Sequence, residues 1–213
     1  MIKESQYLDF LNSLVLGDKH RCREIFVSLA NEGCELEDIY INLIQRALYK
    51  IGRMWENGEI SIAEEHIASN ISEYLVDISL SYFETAPPCG RSIIITGIDK
   101  DFHDIGARMV TNLFELHGWS TRFLGGNTPK KDVLNMIKHL KPNLVGITYC
   151  MYINFLRFIE MLDEITSLFP DQKIIVGGQG LSYDENNSLA KYENVTATNS
   201  IEEIKKFILD TGY

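Results

Sequence analysis

Cysteine and basic residues are both scarce in this chain, and each shortage excludes a class of site. The four cysteines among 213 residues show no Cys-x-x-Cys spacing, so free thiols are favoured over disulfides or a zinc site. Lysine and arginine total 20 against 30 acidic residues, which gives a formal net charge of -10. Duplex DNA is bound by clustered basic side chains, and only scattered pairs such as Lys130-Lys131 are present. We therefore predict no direct nucleic-acid binding.

Long apolar runs are also missing. No stretch approaches the roughly 18 residues that a membrane-spanning helix needs, and the polar start from Met1 to Gln6 does not resemble a signal peptide. We expect a cytoplasmic protein without a membrane partner. The hydrophobic fraction is nevertheless 45%, which is enough for the core of one large or two small domains.

A change in composition divides the sequence into two parts. The segment from Glu84 to Gly90 contains two adjacent prolines and a glycine, which cannot continue a helix. Upstream, apolar residues recur at spacings of three and four, as in amphipathic helices. Ser61 followed by Glu64 is a capping box that begins the last of these helices. We predict a four-helix cap domain over residues 1–86.

Downstream of the linker, short β-branched runs alternate with helical stretches. The predicted strands are Ser92–Gly97, Ser120–Leu124, Leu144–Thr148, Lys173–Gly177 and Val195–Ala197. The predicted helices lie near Ile105–Leu116, Pro129–Leu140, Ile153–Leu168 and Ile201–Leu209. This alternation requires right-handed crossovers and hence a parallel sheet. The fold class is α/β with an N-terminal all-α bundle, and residues 91–213 form a flavodoxin-like, doubly wound, five-stranded sheet.

The loop after the first predicted strand carries the most informative residues. Asp101, His103 and Gly106 form the pattern Asp-x-His-x-x-Gly, ahead of a helix that begins at Ile105. In an open α/β sheet, ligands bind at this edge. The carboxylate can fix the tautomer of the imidazole so that the other ring nitrogen binds a metal, and the glycine lets a bulky group approach the backbone. By itself the pattern also suits a loop histidine that caps a helix.

Two further elements follow at characteristic distances. Gly106 is separated by 41 residues from the segment Thr148-Tyr149-Cys150, which is separated by 26 residues from Gly177-Gly178. The set resembles the fingerprint of the cobalamin-binding domain of methionine synthase, the mutases and the corrinoid carrier proteins. The resemblance covers the chain from about Arg91 to the end. Thr148 keeps the hydroxyl of the family's serine, and Cys150 replaces its leucine.

This resemblance implies a cofactor, cobalamin, and a role for each matching residue. His103 would bind cobalt from below in place of the dimethylbenzimidazole tail, and Asp101 would orient it. The tail would enter the sheet beside Thr148, Gly177 and Gly178. Gly126, in the segment from Gly125 to Pro129, resembles the family's loop beside the corrin edge.

A second signature lies in the helical half. Trp55 is separated by nine residues from Glu65-His66, and this spacing resembles that of the adenosylcobalamin photoreceptors. The resemblance implies that Trp55 packs on the adenosyl group while Glu65 and His66 line the upper pocket. Glu56 replaces the histidine that commonly follows the tryptophan, so the resemblance does not imply a light-driven product with two histidine ligands. The alternative is that Trp55 fills the bundle core and Glu65 is favoured by the helix dipole.

Three functions are compatible with these features. The first, which we predict, is a sensor that reads adenosylcobalamin, with or without light, and acts through a regulator protein. The alternative is a corrinoid methyl carrier with methylcobalamin and a methyltransferase partner. The third is a cobalamin store or chaperone. The sequence shows no serine or cysteine nucleophile with a recognisable base. Nothing therefore indicates that the chain turns over a substrate alone. A homo-oligomer is compatible with each of the three.

Overall fold

The computed structural model describes residues 2–183 and 187–210. The chain divides into two compact units, Met1–Glu84 and Thr85–Tyr213, named here the helical unit and the α/β unit. Across the described residues, no helix is both long and apolar enough to cross a membrane.

The helical unit contains the amphipathic helices that the apolar spacing predicts. They are α1 (Glu4–Val15), α2 (Lys19–Asn31), α3 (Leu36–Ile39), α4 (Arg46–Glu56) and α5 (Ile62–Ser79). The predicted capping box is present, because the Glu64 side chain accepts the Ser61 N–H at 2.6 Å and the Ser61 hydroxyl accepts the Glu64 N–H at 3.3 Å. A π-helical segment, Tyr40–Gln45, joins α3 to α4 so that the two form one long helix. The spacing of apolar residues did not predict this segment.

The α/β unit is a five-stranded, fully parallel sheet with the strand order β2-β1-β3-β4-β5. The strands are β1 (Ser92–Gly97), β2 (Ser120–Phe123), β3 (Leu144–Thr148), β4 (Ile174–Gly177) and β5 (Val195–Ala197). The helices are α6 (Ile105–Leu116), α7 (Lys130–Leu140), α8 (Phe155–Leu168) and α9 (Ile201–Asp210). The predicted fold class is therefore confirmed. The boundaries of the observed elements lie within two residues of those predicted.

The strand order locates the ligand-binding edge of the sheet. From β1 the chain adds β2 on one side of the sheet and then β3, β4 and β5 on the other side. The neighbouring strands β1 and β3 are paired through Gly97 and Thr148 at their carboxyl ends. Buried apolar side chains of β1 and β3, among them Ile94 and Val145, pack with α8 residues such as Phe158 in one core. Such a core holds the strands rigidly, so that the loops after β1 and β3 meet at a topological switch point.

Candidate functional site

The loop after β1 places Asp101 and His103 side by side. The Nδ1 atom of His103 lies 2.9 Å from Oδ1 of Asp101, and the backbone N–H of His103 donates to the same oxygen at 3.2 Å. The Asp101 side chain is 2% exposed, whereas that of His103 is 62% exposed. A buried carboxylate therefore orients a histidine that is accessible at the carboxyl edge of the sheet.

The second carboxylate oxygen of Asp101 connects this loop to the loop after β3. It accepts the backbone N–H of Cys150 at 2.8 Å and that of Met151 at 3.2 Å. Burial by itself raises the pKa of the Asp101 carboxyl, but the hydrogen bonds from His103, Cys150 and Met151 outweigh it and hold the pKa below its ordinary value. Asp101 is thus an anion at neutral pH. An anion at this position favours the tautomer of His103 with its proton on Nδ1 and its metal-binding lone pair on Nε2.

A third loop, between β2 and α7, approaches the same aspartate. A Cβ on Gly126 would lie 2.9 Å from the carbonyl oxygen of Asp101, and a Cβ on Gly97 would lie 3.0 Å from Cα of Gly126. The backbone N–H of Asn127 donates to the Asp101 carbonyl at 2.7 Å. Gly126 was predicted from the resemblance. The contact between the two loops leaves no room for a side chain at this position. Gly97 was not predicted, although glycine at a strand end is itself a signal of close approach.

Gly106, in the first turn of α6, has the opposite surroundings. Apart from its chain neighbours and the backbone of its own helix, no described atom lies within 4 Å of the position that a Cβ would occupy, and its φ is not in the left-handed region. Glycine in a helix costs roughly 0.5–1 kcal/mol relative to alanine. The fold therefore does not require glycine here, and the open space beside it suits a bulky ligand that approaches the backbone.

Thr148 and Cys150 stand at the carboxyl end of β3, beside the His103 loop. The Thr148 hydroxyl lies 3.5 Å from the carbonyl oxygen of Thr96. The Cys150 thiol lies 3.7 Å from the carbonyl oxygen of His103. Burial, and then the negative charge of Asp101, raise the pKa of the Cys150 thiol to about 11. The thiol is therefore protonated at neutral pH.

The glycine pair at the carboxyl end of β4 is packed against other residues of the chain. Gly178 has φ +112, and a Cβ there would overlap the carbonyl oxygen of Tyr149; a Cβ on Gly180 would overlap the Tyr149 ring. That ring is fully buried and stacks on Phe158 with the centroids 4.8 Å apart. Gly177 is less crowded, with Thr198 oxygens at 3.4 Å from its built Cβ. At Gly178, then, the backbone of Tyr149 by itself requires glycine.

The helical unit places the second predicted set on its surface. Trp55 lies near the end of α4 and is 46% exposed, so it does not fill the core of the bundle. Glu65 and His66 lie in the first turns of α5, with His66 Nε2 3.7 Å from Glu65 Oε2. The other Glu65 oxygen accepts the Ser69 hydroxyl at 2.7 Å. All three predicted residues belong to the helical unit, while the other seven belong to the α/β unit.

Three residues that the sequence did not single out also hold the Asp101 loop. Lys100 has φ +68. Its N–H donates to the side-chain oxygen of Asn127 at 2.9 Å, and its carbonyl accepts the side-chain N–H of Asn154 at 3.2 Å. These partners are 27 and 54 residues away in sequence, so neither motif spacing nor periodicity could reveal them.

The donor set at this edge fits a metal whose other ligands come from a macrocycle. Nowhere in residues 2–183 and 187–210 do three or more His, Cys, Asp or Glu side chains group so that they could hold a metal ion. A single oriented histidine is instead the ligand that a preassembled metal cofactor needs. With the open space at Gly106, this defines a doubly wound α/β protein with a candidate cofactor site at its switch point.

The chain belongs to the B12-binding domain family. A model described as a B12 binding domain matches residues 91–203, and a second model with the same description matches residues 8–78. The first match lies within the α/β unit, and the second lies within the helical unit. Cobalamin binding, predicted from the resemblance of the motifs, is thus supported for both parts of the chain.

Known proteins similar to the chain share both of its parts. Dimethylamine corrinoid protein 1 of Methanosarcina mazei is 22% identical over 187 residues, which cover 84% of each chain. The structure of the monomethylamine corrinoid protein of Methanosarcina barkeri matches with a TM-score of 0.79 at 18% identity, covering 99% of this chain and all of that one. A chain in the structure of a methanol:cobalamin methyltransferase complex from the same organism matches with a TM-score of 0.50 at 16% identity. The match covers 96% of this chain and 78% of the matched chain. The two structural matches concern the fold alone.

Proposed function

We propose that this protein is a corrinoid methyl carrier. It binds cobalamin with His103 as the lower cobalt ligand and presents the cofactor to partner methyltransferases. The observation that carries the proposal is the exposed imidazole of His103, held by the buried carboxylate of Asp101 at 2.9 Å. The cofactor form that suits this role is methylcobalamin.

The comparisons support the carrier over the adenosylcobalamin sensor. The dimethylamine corrinoid protein matches over 84% of this chain, and a trimethylamine corrinoid protein of the same organism matches over 76% at 22% identity. By their names these relatives serve methylated amines. A methylated amine is therefore the first methyl donor to test, and a methyltransferase specific for it is the partner that we propose.

The chain's own residues account for the lower half of the site. When bound, the corrinoid supplies a cobalt centre that accepts and releases a methyl group. Asp101 would keep the proton on Nδ1 of His103, so that Nε2 would be available to hold the cobalt. The N–H groups of Cys150 and Met151 keep Asp101 anionic in its buried position. Gly106 leaves the backbone of α6 open to the cofactor.

The proposal is tested in two steps, of which the first concerns binding. The purified protein and its His103→Ala variant are loaded with hydroxocobalamin, and the absorption spectra and dissociation constants are compared. We expect the wild type to bind cobalamin with its tail displaced, and the variant to lose the histidine-bound spectrum. Equal spectra and equal affinities would rule out His103 as the ligand.

The second step concerns methyl transfer. The loaded and reduced protein is incubated with dimethylamine or trimethylamine and candidate methyltransferases, especially those encoded by neighbouring genes. Formation of methylcobalamin, followed by absorption, would support the carrier. Binding of cobalamin without methylation by any candidate partner, together with a light-dependent change in assembly, would favour the sensor instead.

The sensor is the second candidate because of one observation. Trp55 is 46% exposed on the helical unit, and Glu65 and His66 lie together at the start of α5. An exposed indole is available to stack on a flat ligand such as adenine. The affinity for adenosylcobalamin relative to methylcobalamin separates the two functions.

A further inference from the structure

Lys100, which precedes Asp101, adopts a backbone conformation that a lysine rarely takes. Its φ is +68, in the left-handed region where the Cβ crowds the backbone of residues other than glycine, asparagine and aspartate. A loop with such a residue reverts to other conformations unless its surroundings hold it. The position of Asp101, the next residue, depends on what holds Lys100.

Two asparagine side chains, from two other loops, hold both backbone polar groups of Lys100. The side-chain oxygen of Asn127 accepts the Lys100 N–H at 2.9 Å, and the side-chain N–H of Asn154 donates to the Lys100 carbonyl at 3.2 Å. Asn154 is only 4% exposed. Its own oxygen accepts a hydrogen bond from Arg157 Nη1 at 3.3 Å, which orients the amide.

Asn127 makes a second contact with the same loop. Its backbone N–H donates to the carbonyl of Asp101 at 2.7 Å, so that it bonds to two successive residues. Asn127 itself has φ +50, a value that asparagine tolerates better than most residues. The glycine before it, Gly126, allows the close approach that these bonds require.

We propose that Asn127 and Asn154 are positioning residues for the lower cobalt ligand. They hold Lys100 in its left-handed conformation and thereby set the place from which Asp101 orients His103. Neither needs to touch the cofactor, because both act through the backbone of Lys100, and Asn127 also through that of Asp101. This inference rests on the proposed ligation of cobalt by His103.

The two asparagines can be tested with the same isosteric substitution, because their amides act in opposite senses. Asn127→Asp keeps the oxygen that accepts the Lys100 N–H. Asn154→Asp removes the donor and places a carboxylate oxygen against the Lys100 carbonyl. Both variants add one negative charge, so that a difference between them cannot come from net charge.

The readout is the electron paramagnetic resonance spectrum of bound cob(II)inamide, a corrinoid that lacks the dimethylbenzimidazole base, so that only a coordinated imidazole nitrogen of the protein splits the cobalt lines. We expect Asn154→Asp and Asn127→Ala to lower the ratio of histidine-bound to histidine-free cobalt about tenfold or more, as for other residues that orient a ligand. Asn127→Asp should stay close to wild type. Adding Lys100→Asn to Asn127→Ala should restore part of the loss, because asparagine tolerates the left-handed conformation.

Two controls make the outcomes separable. Asn143 accepts the Ser92 N–H at 2.9 Å at the amino end of β1, so Asn143→Ala removes a similar bond far from the site and should leave the spectrum unchanged. His103→Ala should abolish the nitrogen splitting; if it does not, the proposed ligation itself is wrong. If His103→Ala abolishes it while Asn154→Asp and Asn127→Asp behave alike, the ligation stands and the positioning role is refuted.

Discussion

Gly178 lies directly against the backbone of Tyr149, and this contact locks the loop after β4 to the loop after β3. A Cβ on residue 178 would overlap the Tyr149 carbonyl oxygen. The same carbonyl accepts the N–H of Gly180 at 3.0 Å, and the Tyr149 N–H donates to the Gly177 carbonyl at 2.9 Å. Part of the glycine signature that is typical of the family is therefore required by the protein in the absence of any ligand.

The first prediction concerns the stability of the ligand-free protein. Gly178→Ala should lower the free energy of unfolding by about 2 kcal/mol or more, because it combines a steric overlap with a strained φ of +112. Gly125→Ala is the matched control, since Gly125 has φ +93 but, apart from its chain neighbours, no described atom within 4 Å of its built Cβ. It should cost only about 1–2 kcal/mol from backbone strain. Urea denaturation of both variants measures the difference, and equal losses would show that the overlap relaxes freely.

The second prediction concerns Gly106, where an added Cβ should not destabilise the protein. Gly106→Ala should leave the ligand-free protein as stable as wild type or up to about 1 kcal/mol more stable, because the Cβ enters open space in a helix. It should nevertheless weaken cobalamin binding. Gly52→Ala, at an equally open position in α4, should give a similar stability change. If Gly106→Ala binds cobalamin as tightly as wild type does, the cofactor does not approach this glycine.

The third prediction concerns pH. The pKa of Asp101 is lower in the folded than in the unfolded chain. Its contribution to the free energy of unfolding is therefore fully present above the ordinary carboxyl pKa of about 3.9 and is lost as the pH falls toward the folded-state pKa. Asp101→Asn removes this contribution, so the variant should lose less stability than wild type as the pH falls below about 4. Denaturation curves over this range provide the measurement; parallel losses would mean that the native pKa of Asp101 is ordinary.

The fourth prediction separates the carrier from the sensor. A carrier should bind methylcobalamin at least as tightly as adenosylcobalamin, and Trp55→Ala should change the two affinities equally. Tyr49→Ala serves as the control, because Tyr49 is another exposed aromatic residue on α4. Isothermal titration in the dark gives the affinities. A clear preference for adenosylcobalamin that disappears only in Trp55→Ala would favour the sensor.

Local patterns were enough to predict most of the fold. The strands Ser92–Gly97, Leu144–Thr148 and Val195–Ala197 have the predicted boundaries, and the capping box at Ser61 begins α5 as expected. The reason is that burial on both faces of the sheet gives continuous β-branched runs in the inner strands β1 and β3, while capping depends on residues three apart. The π-helical segment Tyr40–Gln45 was missed, because an extra residue in a helical turn leaves the apolar spacing almost unchanged.

The candidate site also has features that the sequence predicted and features that only the tertiary structure revealed. The sequence by itself predicted the pairing of Asp101 with His103, since residues two apart on one loop are near enough to each other to interact. Only the tertiary structure decided that the second oxygen of Asp101 bonds to the loop after β3, and that Asn127 and Asn154 hold Lys100. It also decided which glycine faces open space and which faces the protein's own backbone. These relationships join segments that are remote in sequence, and the packing of the sheet, rather than any local spacing, brings them within hydrogen-bonding distance.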